Sequence, residues 1–273
     1  MKKSLIAYGI FVFMAFLSLP VFAEEKCQCP APKVDSAIAK DSLQYSPPKI
    51  TIPYPNGAIY IDKGLCGAFM GGKVQTAGDT KSLFQWQGEM SYYYVPYFSG
   101  GFGFRIRAGE PSDSAQIILN RYFLLMRFHF TANQFAFFIG PKIGVDNLNV
   151  IQDTTLKTSP TKILNPLLEN NNASFSLELG AGYNFYKWVG LTLGSNIEYS
   201  RLLFGNQSID GDNALNIHLN PGIAFNLLNL SPSLHKVVPA INFYLEYQKG
   251  FLLLAQENRE TDDAWVGGLG LAF

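Results

Sequence analysis

The stretch Trp265-Val-Gly-Gly-Leu-Gly-Leu-Ala-Phe273 alternates with a period of two. Side chains of an extended strand point to opposite faces in turn, so Trp265, Leu269, Leu271 and Phe273 share one face with Gly267, while Val266, Gly268, Gly270 and Ala272 share the other. Large apolar groups on one side, small groups on the other and a terminal aromatic are the pattern of a strand that closes a barrel in lipid.

The same alternation recurs upstream. From Gly64 the chain divides into ten segments, at 64–76, 82–94, 99–109, 115–130, 134–146, 173–186, 188–203, 213–228, 238–254 and 263–273. Most exceed the roughly 9 to 11 residues that cross a bilayer when tilted. An even count returns the chain to the side from which it started, as single-chain bacterial barrels require. If the weak first segment or the stretch Asn229 to Val237 is misassigned, the count falls to eight. Connection lengths agree with the reading, because Val95 to Phe98, Thr131 to Ala132-Asn133 and Lys187 are tight, whereas Glu110 to Ser114, Asn147 to Asn172, Gly205 to Asp212 and Ala255 to Asp262 are polar and mostly longer. Short turns at one end and long loops at the other are a barrel's asymmetry.

The terminal strand resembles the C-terminal assembly signal of bacterial outer-membrane β-barrel proteins, with Trp265, Leu269, Leu271 and Phe273 in the signal positions. The resemblance extends over about 210 of 273 residues and is architectural. It implies a transmembrane antiparallel up-and-down β-barrel in the bacterial outer membrane, with outer-membrane lipid and the outer-membrane assembly machinery as partners and a monomeric state. It also implies a porin-like envelope protein without a cofactor.

Composition points the same way. The chain is 48% hydrophobic and 14% aromatic but only 15% charged, against about 25% charged in an average soluble domain. No apolar run after the first segment reaches the roughly 18 residues of a spanning helix. Basic and acidic residues balance at 21 each, which gives no electrostatic basis for nucleic-acid binding.

The N-terminal region divides in two. Lys2 and Lys3, the apolar run Leu5 to Leu19 and the small-residue site Val21-Phe-Ala23 make residues 1–23 a secretory signal peptide. Residues 24–62 hold Pro30, Pro32, Pro47, Pro48, Pro53 and Pro55 with little periodicity, and are expected to form an extended Pro-rich periplasmic arm outside the barrel of residues 63–273. Cys27-Gln-Cys29 lacks further ligands for a metal nearby, so a disulfide within the arm, to Cys66 or to another chain is the expectation.

Alternation also assigns faces. In the second segment Phe84, Trp86, Met90, Tyr92 and Tyr94 point to lipid, and Gln85, Gln87, Glu89, Ser91 and Tyr93 point inward. In the sixth, Phe175, Leu177, Leu179, Ala181, Tyr183 and Phe185 point outward. Tyr92, Tyr94, Tyr97, Tyr183, Tyr186 and Trp188 lie beside the tight turns, as an aromatic girdle would. The inward set carries Lys73, Glu89, Arg105, Arg107, Arg121, Arg127, His129, Lys142, Asp146, Glu178, Glu198, His218 and Glu246, with Glu89 expected to pair with Arg105 or Arg107. At ten strands the interior is near the size that side chains fill. A charge-filled barrel with a structural or surface-interaction role is therefore the first reading, and a narrow channel or transporter for small solutes the second.

A hydrolase or acyltransferase is the third. His129, His218 and His235 are the histidines, and no local serine or aspartate motif accompanies them. Gly100-Gly-Phe-Gly103 lacks the helix that phosphate binding needs, so its glycines are read as packing devices. Asp210-Gly-Asp-Asn213 and the group Glu257, Glu260, Asp262 and Asp263 are read as solvated turn chemistry before calcium ligands.

Overall fold

The computed structural model describes residues 50–76, 82–112, 115–154, 163–205, 213–230, 240–253 and 259–273. Residues 1–23, expected to be a signal peptide, residues 24–49 of the expected arm with Cys27 and Cys29, His235 and residues 210–212 lie outside these.

Two short strands, β1 (Thr51–Pro53) and β2 (Ile59–Ile61), precede ten long ones. These are β3 (Gly64–Thr76), β4 (Leu83–Val95), β5 (Phe98–Ser112), β6 (Ala115–Ala132), β7 (Phe135–Thr154), β8 (Ile163–Tyr186), β9 (Val189–Gly205), β10 (Asn213–Asn226), β11 (Ala240–Leu252) and β12 (Arg259–Ala272). Each long strand pairs antiparallel with its chain neighbours, and β12 pairs with β3 from Asp262↔Thr76 to Ala272↔Cys66, which closes the barrel. Phe273 completes the seam: its N–H donates to the Leu65 carbonyl at 2.7 Å, and its carbonyl accepts from the Leu65 N–H at 2.9 Å. Closure leaves no sheet edge, the condition for strands to sit in hydrocarbon. The fold is the ten-stranded up-and-down barrel, and the eight-stranded alternative is set aside.

Four connections differ from expectation: β5 runs on to Ser112 and β12 begins at Arg259, inside two of the expected loops, and two others differ more. Most of the expected loop Asn147 to Asn172 is strand, with Asn147↔Asn171 through Thr154↔Ile163 extending the β7–β8 ladder. Asparagines disguise this hairpin in the sequence, yet Asn147 Nδ2 donates across it to Asn171 Oδ1 at 2.9 Å. The connection after β10 is longer than Asn229 to Val237, because β10 ends at Asn226 and a 3-10 turn over Leu227–Leu230, with Leu228 buried, follows before β11 begins at Ala240.

The outer surface is apolar. Trp86, Met90, Phe102, Leu124, Phe128, Phe175, Leu193 and Leu269 are all exposed there, as a lipid-facing belt requires. The face assignments of β4 and β8 hold, with Gln85, Gln87, Glu89, Ser91, Tyr93, Ser174 and Glu178 buried inside. Tyr92, Tyr94, Tyr97, Tyr183, Tyr186 and Trp188 are exposed beside the tight turns, with Tyr186 and Trp188 stacked at 6.2 Å. Lys73 is a correction. On β3 the buried residues are Cys66, Met70 and Val74, so Lys73 shares the outward face with Phe69.

The largest departure is inside. Residues 50–62, expected in the extended arm, form a hairpin within the barrel. β1 pairs with β2 from Thr51↔Ile61 to Pro53↔Ile59, and Asn56 (φ 62°) and Gly57 (φ 76°) turn the chain at its tip in left-handed backbone. The Tyr54 N–H donates to the Ala58 carbonyl at 2.8 Å, closing the turn. Ile52, Tyr54, Ile59, Tyr60 and Ile61 are buried and pack on Cys66, Met70, Tyr93, Ala136, Phe138 and Tyr244 of the barrel wall. Of the prolines that argued for an extended arm, Pro53 ends β1 and Pro55 opens the 3-10 turn, where their missing donors cost nothing. An Asn-Gly pair between apolar runs is a strong hairpin signal, and Ile52-Pro-Tyr-Pro-Asn-Gly-Ala-Ile59 carries it.

The wall is shaped for this insert. A Cβ on Gly182 would lie 1.7 Å from the Pro53 carbonyl oxygen, and one on Gly270 would lie 2.2 Å from that of Gly57, so the hairpin backbone rests where those side chains would be.

Candidate functional site

The lumen has two levels. The half toward the tight turns is apolar and centred on the hairpin. The Asn184 side-chain amide donates to the Thr51 carbonyl at 2.9 Å near the β8–β9 turn, which places the hairpin's entry at that end. Its tip reaches mid-barrel, where the Gly57 N–H donates to Glu246 Oε1 at 3.2 Å and Asn56 Nδ2 donates to Glu178 Oε1 at 3.5 Å. His129 sits in this level, 2.8 Å from Ser99 Oγ through Nε2 and 3.2 Å from Tyr54 OH through Nδ1, with its ring against those of Tyr54, Tyr60 and Tyr93. A Ser–His contact is the beginning of a nucleophile pair, but Ser99 and Tyr54 are both 0% exposed, and among the described residues no carboxylate is bonded to the imidazole.

The half toward the long loops is ionic, beginning at the tip of the hairpin. Arg127 is fully buried and bridges two strands' carboxylates: its guanidinium contacts both Glu89 oxygens, one of them at 2.9 Å, and donates through Nε to Glu178 Oε2 at 2.8 Å. Its Cζ lies 4.4 Å from the centre of the Phe138 ring. Lys142 approaches Glu178 at 3.7 Å and the Phe123 ring at 4.2 Å. Nearer the loops, Arg121 forks to Asp146 at 2.6 and 2.7 Å and to Glu198 at 2.8 Å. Arg107 donates to Gln85 Oε1 at 2.7 Å and to Asp262 Oδ2 at 2.6 Å, and His218 Nδ1 lies 4.0 Å from Asp262 Oδ1.

Apart from Lys73, the expected set thus converges on the lumen, with different pairings. Glu89 pairs with Arg127 in place of Arg105 or Arg107. In register Glu89 stands opposite Gly103 and Gln87 opposite Arg105, while β5 presents Gly101 and Gly103 inward, so the Arg127 side chain crosses from β6 over a strand without side chains in its way. Glu246 belongs to the hairpin contact and not to the ionic cluster. Arg105 makes no hydrogen bond or ion pair among the described residues, and its buried Nε lacks a partner, as does Asn196 Oδ1. Both line one cavity of about 10 Å³ with Asn56, Lys142, His218 and Asn220. That is room for about one water, a molecule able to accept from Arg105 and donate to Asn196.

Asp262 and Gln85 complete the cluster and were missed as members from sequence. Asp262 stood among acidic loop residues, and only the upward extension of β12 to Arg259 turns it inward while its neighbour Asp263 points outward to Lys249 at 3.4 Å. The two therefore do not share a cation. Among the described residues no group of three or more His, Cys, Asp and Glu side chains is placed to hold a metal ion.

No protein-family model and no curated protein sequence matches this chain. Solved structures to which it is similar are bacterial outer-membrane barrels. They include neisserial surface protein A, at 8% identity and TM-score 0.38 over 77% of this chain and 96% of that one. The outer membrane protease OmpT from Escherichia coli matches at 9% and 0.42 over 84% and 99%. The outer membrane protein OprG from Pseudomonas aeruginosa matches at 12% and 0.33 over 78% and 97%. Likeness at this level carries no argument about activity, and the class rests on the chain's own geometry: an antiparallel ten-stranded transmembrane β-barrel with an internal hairpin and an ionic lumen.

Proposed function

We propose that this chain is an integral protein of the bacterial outer membrane with a structural or surface-interaction role, in which the lumen serves cohesion and neither conduction nor catalysis. The observation that carries this reading is the hairpin at residues 50–62, whose apolar side chains are buried across the half of the lumen nearest the tight turns. The arginine–carboxylate bridges of Arg127 and Arg121 tie β4, β6, β7, β8 and β9 together above it. The β7–β8 ladder, at 20 and 24 residues, is far longer than the roughly 9 to 11 that span a bilayer and offers a projecting hairpin for surface contacts.

In this reading the tight turns face the periplasm, so that the segment preceding Ile50 and the C-terminus both lie there. The monomer contacts lipid over its outer face, and Trp265, Leu269, Leu271 and Phe273 form the signal read by the assembly machinery. Cell fractionation tests that last part: Phe273→Asp should leave the chain in the periplasm, and normal insertion would remove the signal role. Planar-bilayer recording tests the role itself. The native protein is expected to be nearly silent, whereas steady single-channel conductance would replace the structural reading with a narrow channel or transporter.

A further inference from the structure

The outward position of Lys73 coincides with a feature of the surrounding wall. Across the ladders Lys73 stands between Trp265 and Phe84, with Gln75, Asp263 and Lys249 one outward step nearer the long loops. This row is where the apolar belt gives way to polar side chains. Lys249 is engaged with Asp263, whereas Lys73 is exposed and forms no ion pair among the described residues.

Below Lys73 the outer face is hollow. The next outward pair is Gly71 and Gly267, and two steps further comes Gly67, opposite Leu271 and Met90. Phe69, between them, leans toward β4 and β5, with its ring 5.3 Å from that of Trp86 and 6.5 Å from that of Phe104. A Cβ on Gly67 would meet nothing within 4 Å, whereas one on Gly71 would lie 2.9 Å from the Trp86 ring, which closes over that glycine. The result is an apolar groove of about 720 Å³ floored by glycine backbone and walled by Phe69, Trp86, Phe102, Leu269 and Leu271.

The groove has the length of one leaflet. Lys73 to Gly67 is six residues of β3, or about 20 Å of strand. With a barrel tilt of about 40° that is roughly 15 Å of depth, half of a hydrocarbon core of about 30 Å. A cation at the polar boundary above an apolar trough of that depth complements one kind of occupant.

We propose that this groove is a binding site for an anionic lipid of the leaflet on the long-loop side, with its phosphate at the Lys73 ammonium and one acyl chain along Gly267 and Gly67 beside the Trp86 ring. The site rests on the lipid-facing assignment of the outer surface. Trp86 lines it and Trp265 stands beside Lys73 on the neighbouring strand, so both report on it, and replacing Trp188 at the opposite end with Phe isolates their signal.

The experiment is fluorescence quenching of the Trp188→Phe protein in phosphatidylcholine vesicles containing brominated phosphatidylglycerol, and in the converse mixture. The native site should favour phosphatidylglycerol about fivefold, the order expected for one lysine at an anionic interface. Lys73→Gln should bring the ratio to about one, Lys73→Arg should keep it, and Gly67→Leu, which fills open floor, should lower it. A native ratio near one, or a preference that survives Lys73→Gln, overturns the site while leaving the lipid-facing surface standing. Absence of quenching by either lipid overturns both.

Discussion

Arg127 illustrates why a charge is tolerated inside this barrel. It is fully buried, so its desolvation is offset only by its hydrogen bonds to Glu89 and Glu178 and by the Phe138 face. Arg127→Gln keeps a polar group but leaves Glu89, 8% exposed, without its cation and Glu178, 3% exposed, with Lys142 at 3.7 Å alone. Removing one partner of a buried ion pair costs about 3 to 5 kcal/mol, against about 0 to 1 for an exposed pair. A urea unfolding titration of the folded barrel should show a loss in the former range, and a change under about 1 kcal/mol would mean that water fills the lumen around Arg127. The inward position of Arg127 was legible from alternation. Its partner was not, because the ladder puts Gly103 opposite Glu89 and the contact crosses β5.

At the scale of strands, alternation was the readable quantity and long-range pairing the hidden one. The bounds of β3 were legible to the residue, since a run of glycine and apolar residues begins at Gly64 and gives way to polar ones by Thr76. β8 was cut short at its start because Asn170, Asn171 and Asn172 look like loop, and only their pairing with Leu148, Asn147 and Asp146 of β7 makes them strand. Lys73 was assigned inward, although Met70 and Val74 fix the opposite face. Register can be tested on β8, where Leu179 lies opposite Ile139 and Ser195 and points to lipid. Leu179→Arg should destabilise the barrel by about 2 to 4 kcal/mol in a folding titration in lipid vesicles, while Ser176→Asn, facing inward, should cost much less. The opposite order would place β8 one residue out of register.

For the whole molecule, the closed barrel and the hairpin are complementary surfaces. Gly182 and Gly270 make room, Glu246 holds the tip through Gly57, Asn184 holds the entry through Thr51, and His129 bonds Tyr54. The barrel was readable because its alternation repeats ten times, whereas the hairpin is 12 residues from Ile50 to Ile61 and its burial depends on a cavity formed by all the other strands. Whether residues 50–62 occupy the lumen is the claim on which the structural role depends. Nuclear Overhauser contacts in an isoleucine-methyl-labelled, otherwise deuterated sample, with glycine α-protons retained, test it most directly. Contacts are expected from the Ile52 γ2 methyl to Gly182 and from the Ile61 δ1 methyl to Gly64, following the close approaches at those glycines. Sharp random-coil methyl signals for Ile52, Ile59 and Ile61, with cross-peaks only to water, would contradict the lumenal hairpin.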